Sequence, residues 1–208
     1  MNEVKRLICI GSNCIAADVT HFADIRIPSP VDNISGFNIW KSHLLFDKTL
    51  SKSLFHEEYE VRPSTAFERE KYFYSNKVYT FNPNFSIVHN DFENKHFQNA
   101  LKKRIKLFEM YYKLSQKEKT LWYVYCLNFD DDTIDDSFMQ EIIKKLPECC
   151  INRLLCIGMR GKNTLFEKYF KYYLEFDETQ YKWHNRNQAY EILRQFENKY
   201  DLKFLTGK

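Results

Sequence analysis

Glycine is scarce. The chain of 208 residues holds 5, where an average usage of about 7% would supply roughly 15. So few glycines argue against a Gly-rich nucleotide cradle and against long flexible linkers. Long apolar runs are missing too: no window approaches the roughly 18 apolar residues that a membrane-spanning helix needs. After the charged stretch Met1 to Arg6, the run Leu7-Ile8-Cys9-Ile10 stops at Gly11. That is too short for a signal-peptide core, and Asn13 before Cys14 spoils a lipoprotein cleavage box. A strong charge of either sign is also absent. The 31 Lys and Arg against 28 Asp and Glu give a formal net charge of +3, without the basic excess of a nucleic-acid binder. No nucleic-acid partner is expected.

Six cysteines stand at positions 9, 14, 126, 149, 150 and 156, with no CxxC pair among them. Cys149 and Cys150 are adjacent, a spacing that suits neither a zinc site nor an ordinary disulfide. All but Cys14 lie in or beside apolar stretches, where they read as small buried hydrophobes. A reduced, cytoplasmic chain follows as the expectation. No metal is expected: Asp130-Asp131-Asp132 with Asp135-Asp136 lacks the glycine and closing glutamate of a calcium loop and reads as a solvated helix start.

What is present is a hydrophobic fraction of 44% and an aromatic fraction of 17%, enough for a real core. Apolar runs at 6–10, 120–127 and 153–157 have the pattern of strands buried on both faces. Helical spacing marks 15–22, 37–46, 93–114, 134–146, 164–173 and 187–200. Short strands at 78–81 and 85–88 flank the turn Asn82-Pro83-Asn84, while 47–85 is otherwise irregular and rich in Phe and Tyr. Alternating strands and helices predict an α/β fold: residues 1–208 as one domain, a mainly parallel sheet flanked by helices. Its central parallel strands are 6–10, 121–127 and 153–157.

Cys14 is the cysteine that packing does not explain. It follows a buried strand and the turn Gly11-Ser12-Asn13, at the expected first turn of a helix. Ligands of open α/β sheets bind outside the carboxyl ends of the strands. A helix N-terminus favours the thiolate, the reactive form of cysteine. The amides of this turn, with Ser12 and Asn13, suit an oxyanion or a substrate. A thiolate nucleophile needs a base, and six histidines are available. His43 reads as a core residue, His21 points away at the far end of its helix, and His56 and His96 read as surface. His89, opening the polar turn His89-Asn90-Asp91, is the better candidate, and His184 the second.

The stretch Ile8-Cys9-Ile10-Gly11-Ser12-Asn13-Cys14-Ile15-Ala16-Ala17 resembles the opening motif of a bacterial family of unknown function described as papain-like cysteine peptidases. Ser29-Pro30-Val31-Asp32-Asn33 resembles that family's Pro-Phe-Asp-Trp segment, with Val31 and Asn33 in place of its Phe and Trp. His89-Asn90-Asp91 resembles its His-containing segment, and Lys103-Arg104-Ile105-Lys106-Leu107-Phe108 its basic helix. The likeness spans about residues 6–128. It implies Cys14 as nucleophile and His89 as base. The expected function is then a cysteine-dependent acyl-transfer enzyme, a hydrolase without a cofactor acting on a peptide, glycan or small molecule, in which Asp91 or Asp32 orients the imidazole. One alternative is a coenzyme A-dependent O-acyltransferase of surface-polysaccharide synthesis, with Lys102, Lys103, Arg104 and Lys106 meeting the cofactor's phosphates. The other is a non-catalytic anion-binding protein.

Overall fold

The computed structural model describes residues 1–11, 14–22, 24–72, 74–127, 134–159, 165–176 and 185–205; the side chains of Cys14, Phe22, Asn33, Tyr72 and Met159 lie outside that description. In chain order the elements are β1 (Asn2–Val4), β2 (Arg6–Cys9), α1 (Cys14–Phe22) and β3 (Arg26–Ile27), then 3₁₀ turns at Pro30–Asn33 and Ile39–Lys41. There follow α2 (His43–Phe46), α3 (Thr49–Phe55), β4 (Tyr59–Pro63), α4 (Ala66–Tyr72), β5 (Lys77–Phe81), β6 (Phe85–Ile87) and α5 (Lys95–Ser115). The last third holds β7 (Leu121–Cys126), α6 (Asp136–Lys145), α7 (Glu148–Ile151), β8 (Leu154–Met159), α8 (Leu165–Tyr169), β9 (Tyr172–Phe176), α9 (Arg186–Tyr200) and β10 (Leu202–Phe204).

Five strands form a parallel sheet in the order β3-β2-β7-β8-β9. The three apolar runs of the sequence are its three central strands, and all six residues of β7, Leu-Trp-Tyr-Val-Tyr-Cys, are buried. The chain steps one way from β2 to β3 and the other way through β7, β8 and β9. Right-handed crossovers therefore set α1 on one face and α6 and α8 on the other. Side chains agree with this. Cys9 Sγ lies 4.0 Å from Thr20 Oγ1 of α1, whereas Tyr125 stacks on Phe166 of α8. Helix α5 shares the second face, its Ser115 hydroxyl 2.6 Å from that of Tyr123, two residues from Tyr125 on the same side of the strand.

The amino end of the sheet is closed by one side chain. Arg153 donates to the carbonyls of Glu118 and Leu121 at 2.8 Å and of Ser115 at 2.5 Å, the last being the final residue of α5, whose end carbonyls have no partner within the helix. Strands β4, β5 and β6 form a second, antiparallel sheet, with Phe81 opposite Phe85 across the hairpin. Strands β1 and β10 pair in parallel, Asn2 against Leu202. One hydrophobic cluster runs through both larger sheets.

Two expected helices are corrected. Residues 37–46 are not continuous: a 3₁₀ turn and α2 meet at Ser42, whose hydroxyl donates to the Ile10 carbonyl at 2.7 Å and draws the chain onto the end of β2. Of residues 164–173 only Leu165–Tyr169 are helical, because Tyr172 and Tyr173 pair with Leu155 and Cys156 as the start of β9. Likewise 47–85 is more regular than its sequence suggests, carrying α3, β4 and α4.

A close approach in this frame is at Gly11, where a Cβ would stand 2.3 Å from Cε2 and 2.5 Å from Cδ2 of Tyr125. Tyr125 is fully buried and its hydroxyl accepts from the Ile39 amide at 3.0 Å, so the ring has nowhere to move. Gly11→Ala is expected to cost about 1–3 kcal/mol by overpacking. Thermal denaturation should read this as a loss of roughly 2–4 °C for each kcal/mol. An unchanged melting temperature would mean that the ring is not held against the strand.

Candidate functional site at the sheet crossover

The strand order reverses between β2 and β7. At such a switch point two crossovers leave on opposite faces, and a crevice opens outside the carboxyl ends of the two strands. Here those ends are Ile10-Gly11, with the Ile10 amide donating to the Val124 carbonyl at 3.1 Å, and Cys126-Leu127. Ser12 and Asn13 lie outside the described residues. Cys14 is the first residue of α1, and no acidic side chain occupies the first turn to offset the positive helix end. Beside Gly11 lie the carbonyl of buried Phe37 and the ring of Tyr125. Trp40 packs on Phe138 at the start of α6, ring centres 6.0 Å apart.

The antiparallel sheet is pinned to this same loop. Ser35 and Ser86 exchange backbone hydrogen bonds at 2.6 and 2.9 Å. Phe37 meets Phe85 edge-on at 5.8 Å. The buried Lys41 ammonium donates to the Gly36 and Asn84 carbonyls at 2.5 Å each. His89 lies two residues beyond the end of β6, exposed, with its ring perpendicular to Tyr74 at 5.5 Å.

The two carboxylates proposed to orient an imidazole are engaged by other groups. Asp91 Oδ1 accepts from the Tyr79 hydroxyl and from the Glu93 amide at 3.1 Å. The tyrosine bond, the larger effect, holds the Asp91 carboxyl below the usual range, and desolvation with that same carboxylate pushes the phenol up. Asp32 Oδ2 accepts from the Ser29 amide at 2.9 Å and pairs with Arg26 at 2.7 Å and Arg104 at 3.6 Å. The structure thus joins Asp32 to Arg104, both singled out from the sequence, and to Arg26, which was not. No spacing rule links Arg26 to Asp32, since a loop sets their approach. Ser42 and Tyr125 were missed as well, their roles depending on contacts 32 and 86 residues away.

Among the other histidines, His43 Nδ1 sits 2.7 Å from the Trp40 carbonyl, a local structural bond. His21, His56 and His96 are exposed, and His184 lies outside the described residues. The acidic run 130–132 falls outside them too; Asp135, beyond it, accepts from the Phe138 amide at 2.8 Å as the N-cap of α6. No group of three His, Cys, Asp or Glu side chains suited to a metal occurs among the described residues. No helix among them is long and apolar enough to cross a membrane. Models of known protein families, curated proteins and solved structures were each compared with the chain, and none matches.

The cysteines should separate in reactivity. Cys9, Cys126, Cys150 and Cys156 are buried and Cys149 half-buried, and burial pushes the Cys150 thiol well up. Iodoacetamide at pH 7, followed by peptide mapping, is expected to label Cys14 at least roughly tenfold faster than Cys149, because only thiolate reacts. Equal rates at the two positions would remove any special activation at the head of α1.

Proposed function

We propose that this chain is a cysteine-dependent acyl-transfer enzyme of the papain-like hydrolase kind, with Cys14 as nucleophile and His89 as base. The observation that carries it is the place of Cys14: first residue of the helix that follows a central strand, where the sheet order reverses. Reversal puts a ligand crevice there, and the helix end favours both the thiolate and the oxyanion formed by its attack.

In the proposed reaction the Cys14 thiolate adds to the carbonyl carbon of the substrate. The oxyanion lies toward the amides at the head of α1, with Ser12 and Asn13 beside it. Collapse expels the leaving group, which takes a proton from the His89 imidazolium, and an acyl-thioester remains on Cys14. The neutral imidazole then removes a proton from water, or from an acceptor hydroxyl, as that oxygen attacks the thioester and frees the thiol. His89 is supported by its mounting: the sheet it follows is bolted to the loop against Gly11 through Ser35, Phe37 and Lys41. With Asp91 on Tyr79 and Asp32 on two arginines, neither carboxylate is assigned the orienting role.

Cys14→Ser is expected to abolish turnover while leaving the melting temperature near that of the parent chain. The exchange is nearly isosteric, and a hydroxyl supplies no anion near neutral pH. His89→Ala should lose at least roughly 10²-fold in kcat/KM. Steady-state assays would offer ester and peptide donors to water, and an acyl-coenzyme A to sugar hydroxyls. Full activity in Cys14→Ser on a true substrate would sink nucleophilic catalysis here. Loss at Cys14 with none at His89 would assign the base elsewhere.

A further inference from the structure

Along the open edge of the parallel sheet, beyond β3, lies a cleft of about 240 Å³ lined by His21, Asp24, Arg26, Pro28, Asp32 and Arg104. Four separate elements supply it: α1, β3, the 3₁₀ turn after β3, and α5. The Asp32 side chain is 5% exposed and meets both guanidiniums through one oxygen. One carboxylate against two arginines leaves a positive charge uncompensated. Two further arginines stand nearby. Arg6 donates to the Asp24 carbonyl at 3.0 Å, and Arg186 of α9, held charged chiefly by Tyr190, also feels the Asp24 carboxylate. Against Asp24 and Asp32, the four guanidiniums leave an excess of two positive charges.

Arg104 is the group most available to a ligand. Its side chain is 36% exposed, and among the described residues it makes only the 3.6 Å ion pair with Asp32 and no hydrogen bond. A guanidinium carries five N–H donors, so its hydrogen-bonding capacity is unspent. In the same lining, two polar atoms are buried without a partner among the described residues: Arg26 Nε, a donor, and Asp32 Oδ1, an acceptor. Buried polar groups are normally satisfied. A ligand that suits this set must be anionic, accept from guanidiniums arriving from different directions, and keep one proton to give to a carboxylate.

We propose that this cleft binds a phosphate group, as inorganic phosphate or as the head of a small phosphomonoester. Its oxygens accept from Arg104 and Arg26 in charge-assisted hydrogen bonds, and a P–OH, which inorganic phosphate keeps at neutral pH and a monoester carries only as its monoanion, donates to Asp32. Sulfate offers the same shape without the proton, and a carboxylate offers neither the tetrahedral spread nor the donor. The site stands apart from the chemistry assigned to Cys14 and does not rest on it.

Isothermal titration calorimetry of the full chain with inorganic phosphate, a simple alkyl phosphomonoester and sulfate tests this. Saturable binding of one phosphate per chain is expected, with sulfate weaker by roughly tenfold, the loss of one hydrogen bond to a charged group. Tighter binding of the monoester than of inorganic phosphate would identify a carried phosphate; the reverse would identify the free ion. Arg104→Gln should weaken phosphate by at least roughly tenfold, while Lys103→Gln on the same helix should match the parent chain. Asp32→Asn should erase the preference over sulfate, but it also removes the partner of Arg26. Arg104→Gln therefore decides the matter, since Asp32 keeps Arg26 and the fold, checked by circular dichroism, should persist. Equal binding of phosphate and sulfate, or equal binding by parent and Arg104→Gln (an adventitious ion only), would overturn the proposal, as would no saturable heat at millimolar phosphate.

Discussion

Contact between Gly11 and the Tyr125 ring positions everything at the carboxyl end of the sheet. Because residue 11 has no Cβ, the chain leaving β2 lies flat against a buried aromatic ring of the neighbouring strand. The same tyrosine holds the Ile39 amide with its hydroxyl, and Ser42 holds the Ile10 carbonyl. Three stretches distant in sequence, 9–11, 37–42 and 121–126, are thereby fixed to one another. A larger residue at 11 would push the turn off the ring and carry the head of α1 with it. Cys14 has its place through packing three and four residues upstream, at Gly11 and Ile10.

Burial on both faces made the central strands legible. Arg6–Cys9, Leu121–Cys126 and Leu154–Met159 are apolar almost throughout, since helices cover them above and below. Helix α5 was legible for a different reason: its buried Leu101, Ile105 and Phe108 recur at helical spacing, and Asn94 caps it by accepting from the His96 and Phe97 amides. Elements that were not legible break one of these two patterns. Strand β3 has only two residues, too few for any period to show. Strand β4 alternates as Tyr-Glu-Val-Arg-Pro but is exposed along its whole length, so no buried face marks it. In β9 the aromatic residues sit where a helical stripe would also place them, and pairing with β8 decides between the two.

The candidate site was legible in part for the same physical reasons. A cysteine after a strand and a tight turn is a local pattern, and the structure starts α1 at that residue. Partners of carboxylates are not local. Asp91 is claimed by a tyrosine twelve residues earlier across the hairpin sheet, and Asp32 by an arginine on the adjoining strand and another on a helix 72 positions later. Charges of this kind look free in a sequence, because what neutralises them is chosen by topology. Arg26 became visible only once β3 was laid beside β2.

The pairing of β1 with β10 sets a temporal order on the molecule. Asn2 lies in register with Leu202, so that ladder closes across nearly the whole chain. Closing so long a loop costs more entropy than any local contact, and contacts of such separation slow folding. During synthesis the first strand emerges long before its partner exists. Until β10 arrives, Asn2 to Val4 present an unpaired edge next to the forming parallel sheet, a surface open to a neighbouring nascent chain. Arrival of the last strand covers it, and the ammonium of Met1 then meets Asp201 at 2.7 Å. The earliest residues of the chain are thus among the last to acquire their final neighbours.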